Sequence, residues 1–544
     1  MNSLLVAITG LVLFAAGYLF YANFIEKKVW RVDQSKQTPA VQNEDGLDYV
    51  PAKHWTVLFG HHFASIAGAG PIIGPVIACS LFGWGPALLW IVIGSIFIGG
   101  VHDFSALMLS LRHNGKTVGH VAESVLSRRS RLVFSIFLWL ALILVVAVFA
   151  AVTAKTMIEE PRIVIPSLGM VLTAVLLGLM LYRWQVNQWQ ATIVALVLMG
   201  YFIYLGMIFP ISLALPNALT IWIIILLAYA FIASILPVNI LLQPRDYLSA
   251  FILFFGLILG YLGIFVTLPK MNAPVFISSQ SGQGPLWPMM FVIIACGAIS
   301  GFHSLISSGT TSKQLPQKPA AKKVTFGSMI LEGVLSLLAI IAVCAGLHWT
   351  GGPSGSVYPE LIKESGWIVT FGKGFGQLVA PLVGATIGSL IAMFTLNAFV
   401  LTTLDSATRI TRYLTEEMFG QALGLKLFKN KYFSTALIVL VSLWLALGSW
   451  TAIWPVFGAS NQLIAALVLI LASVYLFQKK QPSLYTLVPA IFMTVTTIGA
   501  LVYEMVSFFQ TNNYLLFTIA AVLLVLAADM LIEAARVVNR FKKT

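Results

Sequence analysis

Residues 60–75 read GHHFASIAGAGPIIGP, and residues 300–315 read SGFHSLISSGTTSKQL. Both stretches contain the pattern G-x-H-x5-G, at residues 60–68 and 301–309, within strongly apolar surroundings. Glycines and prolines follow the first pattern and interrupt a regular helix. Hydroxyl side chains follow the second. Interrupted helices in two halves of a membrane protein are the sequence signal for the binding site of a secondary transporter.

The composition predicts an all-α polytopic membrane protein. Of the 544 residues, 59% are hydrophobic and only 9% are charged, which is far from the balance of a water-soluble domain. No long polar stretch interrupts the chain, so residues 1–544 are expected to form a single transmembrane domain. The first apolar segment lacks a basic leader and a small-residue cleavage site, and we expect it to be a retained helix.

Fifteen apolar stretches have about the length that crosses a bilayer. They lie at 3–24, 56–80, 86–111, 132–153, 164–182, 190–209, 218–236, 248–268, 289–306, 326–349, 375–404, 433–449, 453–477, 484–503 and 514–535.

The basic residues predict the orientation of these spans and explain the net charge of +13. With the N-terminus outside and the C-terminus inside, 27 of the 32 Lys and Arg residues fall on the inner side. The exceptions are Lys155, Arg162, Lys270, Lys363 and Lys373. This asymmetry follows the positive-inside rule, so the charge indicates membrane topology and no nucleic-acid partner.

This orientation places the two G-x-H-x5-G patterns on spans that run in opposite directions, as an inverted repeat requires. In a five-plus-five core, residues 56–209 form the first repeat and residues 289–477 the second. Residues 218–268 would then be intervening helices, and residues 484–535 peripheral ones. A seven-plus-seven arrangement, with spans 2–8 and 9–15 as repeats, fits the pattern as well.

Candidate substrate-binding residues lie in both patterned stretches. In the first they are His61, His62, Gly68, Gly70, Pro71, Gly74 and Pro75, and residues 68–75 are expected to be unwound, exposing amides or carbonyls to a ligand. In the second they are His303, Ser304, Ser307, Ser308, Thr310 and Thr311. The alternatives are a proline kink that improves packing, and hydroxyls that bond the preceding helical turn.

Ion-coupling candidates are the intramembrane histidines and acids, because a histidine titrates near neutrality and a buried carboxylate needs a partner. They are His62, His102, Asp103, His303 and Asp405. His61 and His62 are adjacent and point about 100° apart on a helix, so they cannot share one face. Asp405 and Arg409 have the spacing of a simple intrahelical ion pair. A metal site of His61 or His62 with His102 and Asp103 lacks a diagnostic ligand spacing, and we predict neither a metal nor a cofactor.

The chain resembles the carbon starvation protein A family of bacterial membrane transporters. The matching stretches are residues 60–75, GGVHDF at 99–104, residues 300–315, TTLDSATRITRY at 402–413 and WPVFGASNQLIAAL at 454–467. The resemblance implies uptake of peptides or pyruvate, and a relationship to the amino acid–polyamine–organocation superfamily that favours the five-plus-five core. Many members of the family are longer than this chain.

The sequence therefore predicts a multi-pass transporter of the bacterial cytoplasmic membrane that works by alternating access. Its substrate is expected to be pyruvate or a di- or tripeptide, with proton coupling and Na⁺ as the alternative ion. Its remaining contacts are with membrane lipid. No P-loop is present, so the chain supplies no ATP drive of that kind. The rival hypotheses are an intramembrane metal-dependent enzyme and a starvation-linked membrane sensor.

Overall fold

A computed structural model describes residues 2–46, 48–353 and 355–543 of the chain. In the first half, the α-helices are α1 Ser3–Ala16, α2 Pro39–Gln42, α3 Trp55–Ile66, α4 Gly70–Phe82, α5 Trp84–Gly94, α6 Gly100–Arg112, α7 Val118–Val125, α8 Arg128–Glu159, α9 Val164–Gly178, α10 Gln188–Ile208, α11 Ala218–Ile235 and α12 Leu242–Thr267. Short π-helical turns extend or join several of them, at Gly17–Ala22, Ile25–Val29, Ser95–Gly99 and Leu179–Arg183.

In the second half, the α-helices are α13 Phe291–Ile293, α14 Gly301–Gly309, α15 Ala321–Gly346, α16 Tyr358–Glu364, α17 Gly366–Leu378, α18 Ala380–Val383, α19 Ala385–Thr415, α20 Lys431–Gln478, α21 Leu484–Gln510 and α22 Tyr514–Lys543. π-Helical turns lie at Leu286–Met290 and Glu416–Ala422. The strands among the described residues are β1 Gln280–Ser281 and β2 Gly284–Pro285, which pair antiparallel before α13.

The prediction of a polytopic helical membrane protein is confirmed in its coarse form. Within the described ranges, thirteen helices are long and apolar enough to cross a membrane, and the pair α3 and α4, bent by 41°, raises the number to fourteen. The stretch predicted at 289–306 is not one helix, because residues 294–300 between α13 and α14 are not helical.

The span predicted at 375–404 was placed wrongly at its start. The long helix of this region, α19, begins only at Ala385, and α17 and the short α18 precede it. Gly384 has a φ of +82°, a left-handed conformation that separates α18 from α19. The apolar run therefore continues across a chain reversal that hydrophobicity alone does not reveal.

Helix α20 is hydrogen-bonded over 48 residues, yet it contains two predicted spans. Ser442 contacts the carbonyl of Ile143 in α8, Phe457 packs on Phe149, and the side chain of Gln478 donates to Val125 just before α8. These contacts join the first part of α20 to the middle of α8 and the end of the second part to the segment before α8. The two membrane-length parts are Lys431–Gly448 and Val456–Gln478.

The core of the bundle contains the half-helices. Helices α15, α19 and the second part of α20 are mostly buried, whereas α10 and α22 present most of their surface to the outside of the bundle. Helix α3 packs against α12, α15 and α19, and α14 packs against α6 and α20. Both patterned stretches thus lie at the centre of the protein.

Candidate functional site

The first helix interruption is shorter than the sequence predicts. Helix α3 ends at Ile66, and α4 begins at Gly70, so residues 67–69 alone are outside the helices. Pro71 occupies the first turn of α4, where a missing amide hydrogen costs no helical bond, and Pro75 lies inside the helix. The hydroxyl of Thr402 in α19 donates to the free carbonyl of Ala64 at 2.8 Å, and that of Thr403 donates to Ser65 at 3.1 Å.

The second interruption is longer, and side chains satisfy both of its ends. The amide of Gln462 in α20 donates to the carbonyl of Phe291 in α13 at 2.5 Å. The side-chain oxygen of Asn461 accepts from the backbone N–H of Phe302, in the first turn of α14, at 2.8 Å. Asn461 therefore caps α14 from another helix.

The two interruptions cross in direct contact. A Cβ atom added to Gly70 would lie 2.5 Å from both Cβ and Sγ of Cys296, and one added to Gly74 would lie 2.5 Å from the carbonyl oxygen of Ile293. Side chains larger than hydrogen therefore do not fit at Gly70 and Gly74. The spans predicted at 56–80 and 289–306 therefore contact each other at this crossing.

The first pattern precedes its helix interruption in the chain, whereas the second pattern follows its interruption. His62 lies on α3 before the first break, and His303 lies on α14 after the second. Because the spans run in opposite directions, both histidines extend to the same end of the crossing, and His62 contacts Thr311 just beyond α14, with 2.7 Å between Nδ1 and Oγ1. The two copies of G-x-H-x5-G therefore do not occupy equivalent positions relative to the two breaks.

A first polar cluster, the Asp103 cluster, consists of His62, His102, Asp103, His303 and Glu332, all fully buried. The Asp103 carboxylate contacts Nδ1 of His102 at 2.8 Å and Nδ1 of His303 at 2.9 Å. Nε2 of His303 lies 3.3 Å from Glu332, without hydrogen-bond geometry. Within the described part of the chain, neither carboxylate oxygen of Glu332 has a hydrogen-bond partner. Helices α6, α14 and α15 thus meet at titratable groups.

A second polar cluster, the Arg245 cluster, consists of His61, Tyr229, Arg245, Asp246 and Asp405. Nδ1 of His61 lies 2.7 Å from Asp246 Oδ2, and the guanidinium of Arg245 donates to Asp246 Oδ1 at 2.8 Å and to Asp405 Oδ2. The Tyr229 hydroxyl donates to Asp405 at 2.7 Å. One buried arginine therefore bridges two buried carboxylates on α12 and α19.

The intrahelical pair expected between Asp405 and Arg409 is absent. The guanidinium of Arg409 donates to the carbonyls of Ala233 and Leu236 at the end of α11 instead. Those carbonyls lack helical partners at a helix C-terminus and attract a cation. Asp405 pairs with Arg245 of α12 instead.

Most hydroxyls of the second stretch bond within their own helix, as the alternative interpretation allowed. Ser304 donates to Gly301 at 2.6 Å, Ser308 to Ser304 at 2.8 Å, and Thr310 to Ile306 at 3.0 Å. Among the described residues, the Ser307 hydroxyl has no partner, and Nε2 of His62 also has none. Ser307 and His62 therefore retain hydrogen-bonding capacity for a ligand, as do Nε2 of His102 and of His303 and the carboxylate of Glu332.

Comparison with known proteins places these motifs in one family. The family model described as carbon starvation protein CstA matches residues 2–349 and 355–500. The chain belongs to the carbon starvation protein CstA family. It is 30% identical to the pyruvate/proton symporter BtsT of Escherichia coli K12, over 94% of this chain and 82% of that protein. It is 32% identical to the peptide transporter CstA of Bacillus subtilis 168, over 91% of this chain and 89% of that protein.

The fold of this CstA-family chain is similar to that of a solved transporter of very different sequence. A manganese transporter of Eremococcus coleocola, solved in complex with an aromatic bis-isothiourea substituted compound, has a TM-score of 0.53 at 12% identity, over 91% of this chain and 99% of that protein. This similarity concerns the fold alone. In the described part of the CstA-family chain, no group of three or more His, Cys, Asp or Glu residues is arranged to hold a metal ion.

Sequence reasoning missed three functional candidates in this CstA-family protein. Arg245 and Asp246 lie in the first turn of α12, which begins at Leu242 rather than at the predicted residue 248. The adjacent opposite charges at the start of an apolar helix were the available signal. Glu504, a single acid in the apolar helix α21, is also buried and was not singled out.

Proposed function

We propose that the protein is a secondary active transporter that imports a small carboxylate or a short peptide by alternating access, coupled to protons. The crossing of two interrupted helices at the centre of an apolar bundle carries this proposal. Such interruptions free backbone groups to bind substrates and ions in transporters. Relatives named as a pyruvate/proton symporter and a peptide transporter support pyruvate or a di- or tripeptide as the substrate. A transporter role also favours the absence of enzymatic activity.

The N-terminus of α4 is the proposed position of the substrate carboxylate. A helix N-terminus binds anions through free amide groups and the helix dipole. In α4, Pro71 has no N–H, and the N–H groups of Ile72 and Ile73 donate to the carbonyl of Ala69. The N–H of Gly70 and the dipole would therefore hold the carboxylate. Of the two half-helices that begin at the crossing, α14 has its first turn capped by Asn461, whereas the N-cap residue Ala69 gives α4 no side-chain cap. Ser307 and Nε2 of His62 would supply further hydrogen bonds from the opposite side of the crossing.

The Asp103 cluster is the proposed site of proton coupling. A neutral imidazole carries one N–H, so His303 cannot donate to both Asp103 and Glu332 unless it is protonated. Adding or removing one proton therefore changes the attraction between α6, which holds Asp103, and α15, which holds Glu332. Proton-driven alternating access needs a group whose change of charge alters the contact between helices, and this cluster would provide one. His102 would hold the Asp103 carboxylate in position.

The proposed architecture has fifteen crossings of the bacterial cytoplasmic membrane, with the N-terminus outside and the C-terminus inside. The broken segment containing α13 and α14 would be the fifteenth. The backbone N–H of Ser3 donates to the carbonyl of Pro269 at 3.1 Å, which supports one side for the N-terminus and the end of α12. Lys322 pairs with Glu26 at 2.9 Å, which supports the opposite side for their two segments. A five-plus-five inverted repeat at residues 56–209 and 289–477 remains part of the proposal.

The direct test is uptake by purified protein in liposomes. Radiolabelled pyruvate, dialanine and trialanine would be offered with an inward proton gradient, with an inward Na⁺ gradient, or with neither. We expect at least one substrate to accumulate only with the proton gradient, and a protonophore to abolish the accumulation. Transport that follows Na⁺ alone would overturn proton coupling, and absence of any uptake would overturn the transporter assignment.

Metal analysis separates the proposal from the enzyme alternative. The purified protein is expected to transport its substrate after extensive treatment with a chelator. A stoichiometric transition metal, whose removal abolishes function, would instead support an intramembrane metal-dependent enzyme.

A further inference from the structure

A cavity lies next to the crossing, at the end opposite to the Asp103 cluster. It has a volume of about 420 Å³, within the range of small-ligand sites. Its walls include Ile77 of α4 and Ile293 of α13. These two half-helices lie across the breaks from α3 and α14, which carry the histidines. Gln283, between β1 and β2, closes another part of its wall. In the proposed orientation, this cavity is on the outer side.

Glu504 of α21 lines this cavity without a partner. The residue is 4% exposed, and neither of its carboxylate oxygens makes a hydrogen bond within the described ranges. A buried carboxylate without a partner is costly, so native proteins pair such groups or use them functionally. The cavity leaves space beside the carboxylate for a ligand that would supply the missing partner. We call this space the Glu504 cavity.

Aromatic side chains surround the same cavity. Trp367 and Trp454 both line it, with ring centroids 6.3 Å apart and planes inclined by 28°. Tyr503 and Phe508 add two further rings. Aromatic faces attract organic cations through their quadrupole, and a carboxylate adds a charged hydrogen-bond acceptor. One carboxylate among aromatic side chains fits an organic ammonium group and repels a simple carboxylate such as pyruvate.

We infer that the Glu504 cavity binds the α-ammonium group of a short peptide. This inference rests on the proposed transport function and deepens it, because it selects peptides with a free amino terminus over simple carboxylates. The half-helix α4 borders the cavity through Ile77, so the ammonium group of the ligand would lie at Glu504 beside the half-helix that begins at the crossing.

The test compares dialanine with N-acetyl-dialanine, which lacks the ammonium group, in a binding assay on the purified full-length protein. The wild type is expected to bind dialanine roughly 10- to 100-fold more tightly, the factor expected for one charge-assisted hydrogen bond. In E504Q, this preference should disappear. The exposed Glu364 of α16 supplies the matched control E364Q, which should retain the preference.

Several results would overturn the inference. Equal binding of the two peptides by the wild type would do so without involving any variant. An unchanged preference for dialanine over N-acetyl-dialanine in E504Q would do so as well. Binding of Na⁺ rather than of dialanine at this site would also overturn the inference. If E504Q does not fold, the variant W367L can be used instead, because it keeps the carboxylate. W367L is expected to weaken the binding of dialanine but not the binding of N-acetyl-dialanine. Proton-driven pyruvate uptake without peptide binding would reject this inference while leaving the transport function intact.

Discussion

Replacing Gly70 by alanine tests whether the crossing of the two interruptions is needed for transport. The new Cβ atom would lie 2.5 Å from Cβ and Sγ of Cys296, whereas carbon atoms in contact are normally about 3.5–4.0 Å apart. The two breaks would therefore have to separate by roughly 1 Å or more. Gly70 does not have a positive φ, so backbone strain adds nothing to this effect.

The expected cost in folding free energy is about 1–3 kcal/mol, the usual range for overpacking. The functional cost is larger, because a displacement of about 1 Å at a binding site can reduce a rate by roughly 100-fold. We therefore expect G70A to reach the membrane and remain folded, but to lose about 99% of the initial uptake rate in liposomes. Thermal unfolding in detergent measures the loss of folding stability separately from the loss of uptake.

Two further variants make this test specific. Gly200 in α10 has no atom within 4 Å of its would-be Cβ, so G200A should transport normally and gain up to about 1 kcal/mol of helix stability. Adding C296G to G70A removes the clashing atoms, and the double variant should recover most of the lost uptake. Wild-type uptake by G70A, or no recovery in the double variant, would refute the role of this contact.

Three other substitutions test separate parts of the site. N461A removes the acceptor for the N–H of Phe302 and should destabilise the protein by about 1–3 kcal/mol in thermal unfolding, while N43A at the surface has little effect. D103N should retain exchange of substrate across liposome membranes but lose accumulation driven by a proton gradient; retained accumulation would contradict proton coupling at this cluster. R245Q leaves two buried carboxylates uncompensated and should cost roughly 3–5 kcal/mol, which neutralising both carboxylates in the same variant should largely restore.

The sequence was sufficient to predict the features that depend on local composition. Apolar length located most of the membrane helices, and the glycines and prolines from Gly68 onward predicted a break in this region, although only residues 67–69 are outside the helices. The spacing of adjacent residues also predicted that His61 and His62 would face different partners. These properties are set within one or two helical turns, so no knowledge of the tertiary packing is needed.

The remaining features depend on contacts between distant segments. Residues 294–300 contain no proline, and their departure from the helix is supported by Asn461 and Gln462, from a distant part of the chain. Arg245 pairs with Asp405, which lies 160 positions later in the chain. Arg409, the partner that the spacing within α19 predicts for Asp405, binds the end of α11 instead. Several partners compete for each charge, and the folded packing selects among them.

Helix α3 connects the two polar clusters through its adjacent histidines. Nδ1 of His61 contacts Asp246 of α12, and Nε2 of the same ring accepts from the side-chain amide of Gln314, so its proton lies on Nδ1. Nδ1 of His62 contacts Thr311 on the opposite wall. A rotation or translation of α3 therefore changes both contacts together. Because Thr402 and Thr403 also hold the end of α3 through its carbonyls, a movement of α19 would shift the first break together with both clusters.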